Sequence, residues 1–232
     1  MRKLFGRYFL RFFGVNLLNF LLFYISTYIV MNDYVEYVRY FVGEAIDFAL
    51  PVVAAAAVSA AMAKYGFKAL WLVPFISLGK LAYAYPYYYL YFIDGGLLTE
   101  ESLLFAIPAA LATIIIDCLA VCLLSFTIYV VTDVIAKRNG RGFGECVSTS
   151  YAPFDFSNEF TVGVFVSGGT IFTVNLVLEI IDTVKYIITY TGTYQIGEVV
   201  YIAVSFIMLL VELLFAQLVA VKSRKKLLSE EI

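Results

Sequence analysis

The sequence Ala-Leu-Trp-Leu-Val-Pro-Phe-Ile-Ser-Leu-Gly-Lys occupies residues 69–80, and it opens an apolar stretch that continues to Ile93. This stretch is long enough to cross a lipid bilayer, which takes about 20 apolar residues in a helix. Lys80 nevertheless stands near its middle, where an unpaired charge costs about 2.5–3.5 kcal/mol. A cation at such a depth requires a counter-charge or a polar cavity, and the remaining sequence indicates where these lie.

The composition is typical of a membrane protein. Hydrophobic residues make up 62% of the 232 residues and charged residues 15%, whereas a soluble domain is about half apolar and about a quarter charged. We predict an all-α polytopic membrane protein, with residues 1–232 forming a single six-helix transmembrane domain. The expected connections include a polar, acidic turn at 32–44, a short basic turn at 64–68 and an inner loop at 137–160. The six predicted helices cover approximately residues 12–31, 45–63, 69–93, 103–136, 161–181 and 199–221.

The basic residues predict that both termini are cytoplasmic. With the N-terminus inside, six helices place thirteen of the sixteen Lys and Arg residues on the inner side, as the positive-inside rule requires. An odd number of helices would put the two basic termini on opposite sides. We therefore expect an integral protein of the cell membrane whose surroundings are the lipid bilayer. The inner basic residues are Arg2, Lys3, Arg7, Arg11, Lys64, Lys68, Lys137, Arg138, Arg141, Lys222, Arg224, Lys225 and Lys226.

Three ionisable residues on different predicted helices lie at one depth. At 1.5 Å per residue, Lys80, Asp117 and Glu212 are each about 21–22 Å from the outer end of their helix. We expect Lys80 to pair with Asp117, with Glu212 or with both. If all three ionise, the group has a net charge of −1, so one carboxyl can bind and release a proton. The alternatives are an ion pair that only fixes helix packing and, for Lys80, a side chain that reaches the lipid headgroups.

A run of tyrosines follows Lys80. We predict that Tyr83 and Tyr85, about one turn further along, line a polar cavity and bind a ligand through their hydroxyl groups. The tyrosines at 87–91 fit the aromatic belt of the membrane interface, and this belt is also the alternative for the first two. Pro86 is predicted to break the helix between the two groups.

Three further polar features are predicted at membrane surfaces. Asp47, close to the outer boundary of the second helix, is expected to face headgroups or an outer vestibule. Residues 137–144, Lys-Arg-Asn-Gly-Arg-Gly-Phe-Gly, are expected to form a flexible basic turn at the headgroups, since they lack the spacing of a phosphate-binding loop. Asp133 and Lys137, four residues apart on one helix, are expected to form a surface ion pair.

The chain has no signature of an enzyme. Histidine is absent and the three cysteines lack metal-site spacing, so we predict no catalytic residue, no metal site and no cofactor. The basic termini are explained by topology, so nucleic-acid binding is not expected either.

Two classes of function remain. The first is a small transporter or permease component, proton-coupled through the charged site, that carries a small molecule or an ion. The second is a non-catalytic scaffold or partner subunit, held to another membrane protein or to a second copy by small-residue helix faces such as residues 54–63. A water-accessible cavity at Lys80 and Asp117 would indicate the first. Sealed charges beside outward-facing small-residue grooves would indicate the second.

Overall fold

The computed structural model describes residues 2–30, 33–186 and 196–229, and the long elements in these ranges are all helices. The all-α prediction is therefore confirmed. Residues 31 and 32 of the predicted acidic turn, and the connection at 187–195, lie outside the described residues. The elements are α1 (Arg2–Tyr24) with a π-helical extension (Ile25–Val30), α2 (Asp33–Tyr65), a 3-10 segment (Gly66–Trp71), α3 (Leu72–Ser77), a 3-10 turn (Leu78–Lys80), α4 (Leu81–Asp94), α5 (Thr99–Arg138), α6 (Phe143–Thr149), α7 (Glu159–Tyr186) and α8 (Ile196–Ser229).

Four helical stretches in the described part of the chain are long and apolar enough to cross a membrane. Their outward faces carry large apolar side chains; Ile116, Leu119 and Leu123 of α5, for example, are 64–67% exposed. A contiguous apolar surface of this kind suits lipid rather than water. The chain is therefore an integral membrane protein. The four stretches are Phe5–Val30, Ala45–Asp94, Thr99–Arg138 and Glu159–Lys185.

The longest of these stretches, Ala45–Asp94, is a hairpin. Asp47 Oδ1 and Lys80 Nζ are 3.9 Å apart, whereas a straight helix would separate the two residues by about 50 Å. The chain reverses at Gly66, whose φ of +58° is a conformation that glycine adopts without strain. The reversal falls inside the basic turn predicted at 64–68.

Several predicted boundaries are wrong. Residues 33–44 form the first turns of α2, because acidic residues at the edge of a membrane do not have to end a helix that continues into water. Pro86 lies inside α4 and does not end it, since membrane helices tolerate the loss of one backbone hydrogen bond. The interruption comes earlier, in the 3-10 turn Leu78–Lys80 between α3 and α4.

Helix α2 lies at the centre of the packing. Its small side chains let neighbouring backbones approach closely, on one side α3 and on the other α8. Helix α5 packs against α2, α4 and α7, while α1 packs against α3 and α4. The buried alanines of α2 include Ala54, Ala57 and Ala61 beside α3, and Ala49, Ala56 and Ala60 beside α8.

The polar segment at 137–160 is tied to the helices by buried polar contacts, and the basic turn expected at 137–144 supplies two of the side chains involved. Arg141 Nη1 lies 3.0 Å from Glu159 Oε2, and Asn139 Nδ2 donates to Glu159 Oε1 at 2.9 Å. Asn158 caps α7, since its Oδ1 accepts hydrogen bonds from two backbone N–H groups at 3.0 and 3.1 Å. Arg141 thus neutralises a buried carboxylate. The predicted surface pair beside this segment is confirmed, with Lys137 Nζ 2.7 Å from Asp133 Oδ2.

The helix α6 covers this cluster. Burial, and then the hydrogen bond and charge of Glu159, raise the pKa of the Cys146 thiol to about 11. The thiol therefore stays protonated near neutral pH, which makes it a weak nucleophile.

Replacing Glu159 with glutamine should destabilise the protein by about 2 kcal/mol, because charged hydrogen bonds to a buried partner are lost. The matched control is Glu145→Gln, which removes the exposed partner of Arg141 and should cost less than about 0.5 kcal/mol. Denaturant unfolding of the purified protein in detergent measures both effects. Equal losses for the two variants would contradict the assignment of Arg141 and Glu159 as the structural pair.

Candidate functional site

The short turn between α3 and α4 places Lys80 inside the bundle. Gly79 lies so close to α1 that a Cβ atom there would come within 2.8 Å of the backbone nitrogen of Phe13. Lys80 Nζ is 3.6 Å from Asp117 Oδ1 of α5. The two side chains are 19% and 11% exposed. The structure thus brings together two of the three residues that share a depth in the sequence.

Asp47 of α2 is the second acid beside Lys80, and the sequence pattern assigned it to the outer boundary instead. Its Oδ1 lies 3.9 Å from Lys80 Nζ, and its side chain is 37% exposed. The expected surroundings were headgroups or an outer vestibule, and Asp47 does line a polar cavity. Its contact with Lys80 was not predicted.

A polar cavity of about 290 Å³ leads to Asp47; we call it the vestibule. It lies toward the edge of the bundle where α2 begins and α4 ends. At this edge the Tyr28 hydroxyl donates a hydrogen bond to the Asp94 carboxylate and so ties the end of the α1 extension to the end of α4. The vestibule is lined by Asn19, Phe23, Arg39, Gly43, Asp47, Tyr83 and Tyr87.

The two predicted tyrosines are separated by the geometry of α4. Tyr83 lines the vestibule, whereas Tyr85 is half-buried and is not part of its lining. Residues two apart on a helix face different directions, while residues four apart share a face. Tyr87 therefore accompanies Tyr83, and their rings stack with centroids 5.4 Å apart. The prediction that assigned Tyr87 to the interface belt did not include this role.

Glu212, the third predicted member, is 5% exposed on α8. This helix packs against α2 and α7. Glu212 lines neither the vestibule nor the small cavity beside Lys80. Its predicted participation in the charged site stays a prediction.

Buried polar atoms without hydrogen-bond partners in the described part of the chain lie between the vestibule and Lys80. Among the described residues, Asn19 Nδ2, Asn16 Oδ1 and Asp47 Oδ1 have no hydrogen-bond partner. Asn16 and Asn19 are each 2% exposed and lie about one turn apart on α1. Asn19 faces the vestibule, and Asn16 faces a cavity of about 10 Å³ that Lys80 and Asp117 also line. An unsatisfied buried polar atom costs about 1–3 kcal/mol, so each of these atoms is a candidate contact for water or a ligand.

The site contains more acidic than basic side chains. Two carboxylates share one ammonium group, so the three side chains sum to −1 when all are ionised. The attraction in each pair is about 4 kcal/mol at an effective dielectric near 20. Because the two distances are similar, Lys80 can favour either acid as the other binds a proton or a cation. Within the described ranges, no group of three or more acidic or cysteine side chains is arranged to hold a metal ion.

Asn19 and Arg39 are site residues that the sequence pattern does not single out. The only sequence signal for Arg39 is its place four and eight residues before Gly43 and Asp47, on one face of α2. Comparisons of the chain with protein-family models, with characterised proteins and with solved structures give no match.

Proposed function

We propose that the protein is a small transporter or permease component of the cell membrane, with Asp47, Lys80 and Asp117 as its central charged site. The observation that carries the proposal is the double role of Asp47. Its carboxylate belongs to the ion-paired site and also forms part of the vestibule wall. A charged group deep in the bundle thereby has a polar route to one side.

The proposed topology has six passes and both termini in the cytoplasm. Three of the four apolar stretches supply one pass each, the hairpin supplies two, and α8 supplies the sixth. This arrangement leaves the basic residues on the inner side and opens the vestibule outward. Proton coupling would act at the two acids. A proton on Asp47 releases Lys80 to Asp117 and changes the charge at the floor of the vestibule.

The packing of α2 favours transport over the scaffold alternative. A scaffold was expected to present the small residues of this helix to a partner. The alanines at 54–57, 60 and 61 are at most 9% exposed, and they are used inside the bundle against α3 and α8. The charges adjoin the polar vestibule, whereas an apolar cavity of about 320 Å³ beside α1, α2 and α8 is lined by only one alanine of this segment, Ala57.

Transport is tested with purified protein in liposomes under an imposed pH gradient of either direction. The liposomes are incubated with a mixture of amino acids, sugars, nucleosides and organic acids, and their contents are measured by mass spectrometry. We expect at least one component to accumulate beyond the level in empty liposomes. Its accumulation should follow the direction of the gradient.

Asp117→Asn should reduce this accumulation to the level of empty liposomes, because Lys80 loses one of its two acids. The matched control is Asp133→Asn, which alters an acid in a surface pair of the same helix and should leave uptake unchanged. Glu212→Gln in the same assay shows whether that acid also takes part. Accumulation of nothing, or equal uptake by wild type and Asp117→Asn, would end the transport proposal.

A further inference from the structure

We infer that the vestibule binds a small zwitterion, with the carboxylate of the ligand at Arg39 and its amine at Asp47. This inference rests on the proposed function, because it names the substrate class of the same site. It is carried by the charges, the buried donor and the aromatic wall of the vestibule.

Two opposite charges stand on one face of α2. Arg39 and Asp47 are eight residues apart, so their Cα atoms are separated by about 12 Å along the helix. Both line the same cavity of about 290 Å³, which is large enough for a molecule of amino-acid size. Gly43 lies midway between them and also lines the cavity. A Cβ atom there would come within 3.4 Å of Asn19 Oδ1.

Asn19 supplies a buried donor at this point. Asn19 belongs to α1 and is buried, and its Nδ2 has no hydrogen-bond partner among the described residues. An amide N–H₂ group can donate only to an acceptor. A ligand carboxylate held by Arg39 is such an acceptor, and a rotation of the Asn19 amide would bring Nδ2, which is shielded from the cavity, toward it.

The remaining wall is aromatic. Tyr83 and Tyr87 stack on α4 with an interplanar angle of 13°, and Phe23 meets the ring of Tyr87 edge-on at 5.2 Å. The guanidinium carbon of Arg39 lies 5.1 Å from the Phe23 ring, which holds this side chain beside the cavity. Aromatic faces attract an ammonium group and cover the methylene groups that separate the two charges.

Ligands with a single charge fit this arrangement less well. An anion at Arg39 meets the carboxylate of Asp47, and a cation at Asp47 meets the guanidinium of Arg39. A molecule that carries both charges meets an opposite charge at each end. The ammonium group of Lys80 does not replace the ligand amine, since Lys80 does not line the vestibule and is shared with Asp117.

The test measures binding to purified protein in detergent by calorimetry. The zwitterionic probes are glycine, γ-aminobutyrate and ε-aminocaproate, which differ in the distance between their charges. Butyrate and butylamine match the middle probe in length but carry one charge each. We expect the best zwitterion to bind at least about tenfold more tightly than either, because each charged contact contributes separately.

Arg39→Gln and Asp47→Asn should each weaken zwitterion binding by at least about tenfold. The matched controls are Lys185→Gln and Asp182→Asn, which alter an exposed ion pair on α7 and should leave binding unchanged. The comparison of zwitterionic and singly charged probes on the unaltered protein tests the inference even if a variant fails to fold. Butylamine or butyrate binding as tightly as every zwitterion, or binding of none of the zwitterions, would overturn the inference.

The two proposals can fail separately. Zwitterion binding that depends on Arg39 and Asp47 without uptake into liposomes would reject transport and keep the ligand class. Uptake of another class of compound that depends on Asp117, with no zwitterion bound, would reject the ligand class and keep transport.

Discussion

Gly79→Ala is expected to destabilise the protein by about 3 kcal/mol, the upper end of the usual cost of overpacking a core. The added Cβ atom would stand 2.8 Å from the Phe13 backbone nitrogen and 2.9 Å from Phe12 Cβ. These atoms belong to the backbone and base of α1, so no flexible side-chain end can move aside. Either α1 or the turn that carries Lys80 must shift. The melting temperature of the purified protein in detergent measures the loss.

Gly14→Ala is the matched control. It introduces the same methyl group in α1, one residue beyond Phe13, where a Cβ atom meets nothing within 4 Å. Alanine is also the better helix former, so this variant should melt at the wild-type temperature or slightly above it. If both variants melted alike, α1 would not pack against the Lys80 turn as described.

The length and spacing of apolar segments predicted most of the fold. Each predicted helix corresponds to a helical stretch in the described residues, because the cost of exposing backbone to lipid forces long apolar segments into helices. The first and last residues of the helices were predicted less well. Residues 33–44 were predicted to form a turn because they are polar. Polarity marks the edge of the membrane, but the backbone hydrogen bonding of α2 continues beyond that edge.

Depth predicted part of the candidate site. Counting residues gives the height of a side chain in the bundle but not the direction in which it points. Lys80 and Asp117 share a height and also face one another. Glu212 has a similar predicted height, and its place in the charged site stays a prediction. Tyr85 has nearly the same predicted height as Tyr83, but it lies two residues further along α4 and is not part of the vestibule lining.

The contact between Asp47 and Lys80 was not predicted. Asp47 lines the vestibule, in line with the outer vestibule expected for it, but counting residues does not show that the Lys80 side chain reaches its carboxylate. Asn19 and Arg39 were missed for another reason. Their role depends on the packing of α1 against α2 and α4, which pairs residues far apart in sequence and has no local signal.

Lys80→Met should destabilise the protein by about 3–5 kcal/mol, the usual cost of removing one partner from a buried ion pair. Asp47 and Asp117 would then stand near each other without their cation. The matched control, Lys137→Met, removes the ammonium group of an exposed pair and should leave stability nearly unchanged, since solvent screens that pair. Unfolding in detergent compares the two variants, and equal effects would show that the Lys80 pairs are not structural.

The decisive variant combines Lys80→Met with Asp47→Asn and Asp117→Asn. Removing all three charges leaves no uncompensated ion, so stability should return to near the wild-type value. If the charges only fix helix packing, this stable protein should also retain uptake of the compound found in liposomes. We expect it to lose that uptake, because a neutral site can neither bind a proton nor exchange Lys80 between two acids. A stable and active triple variant would assign the charges to packing alone and would remove them from the transport mechanism.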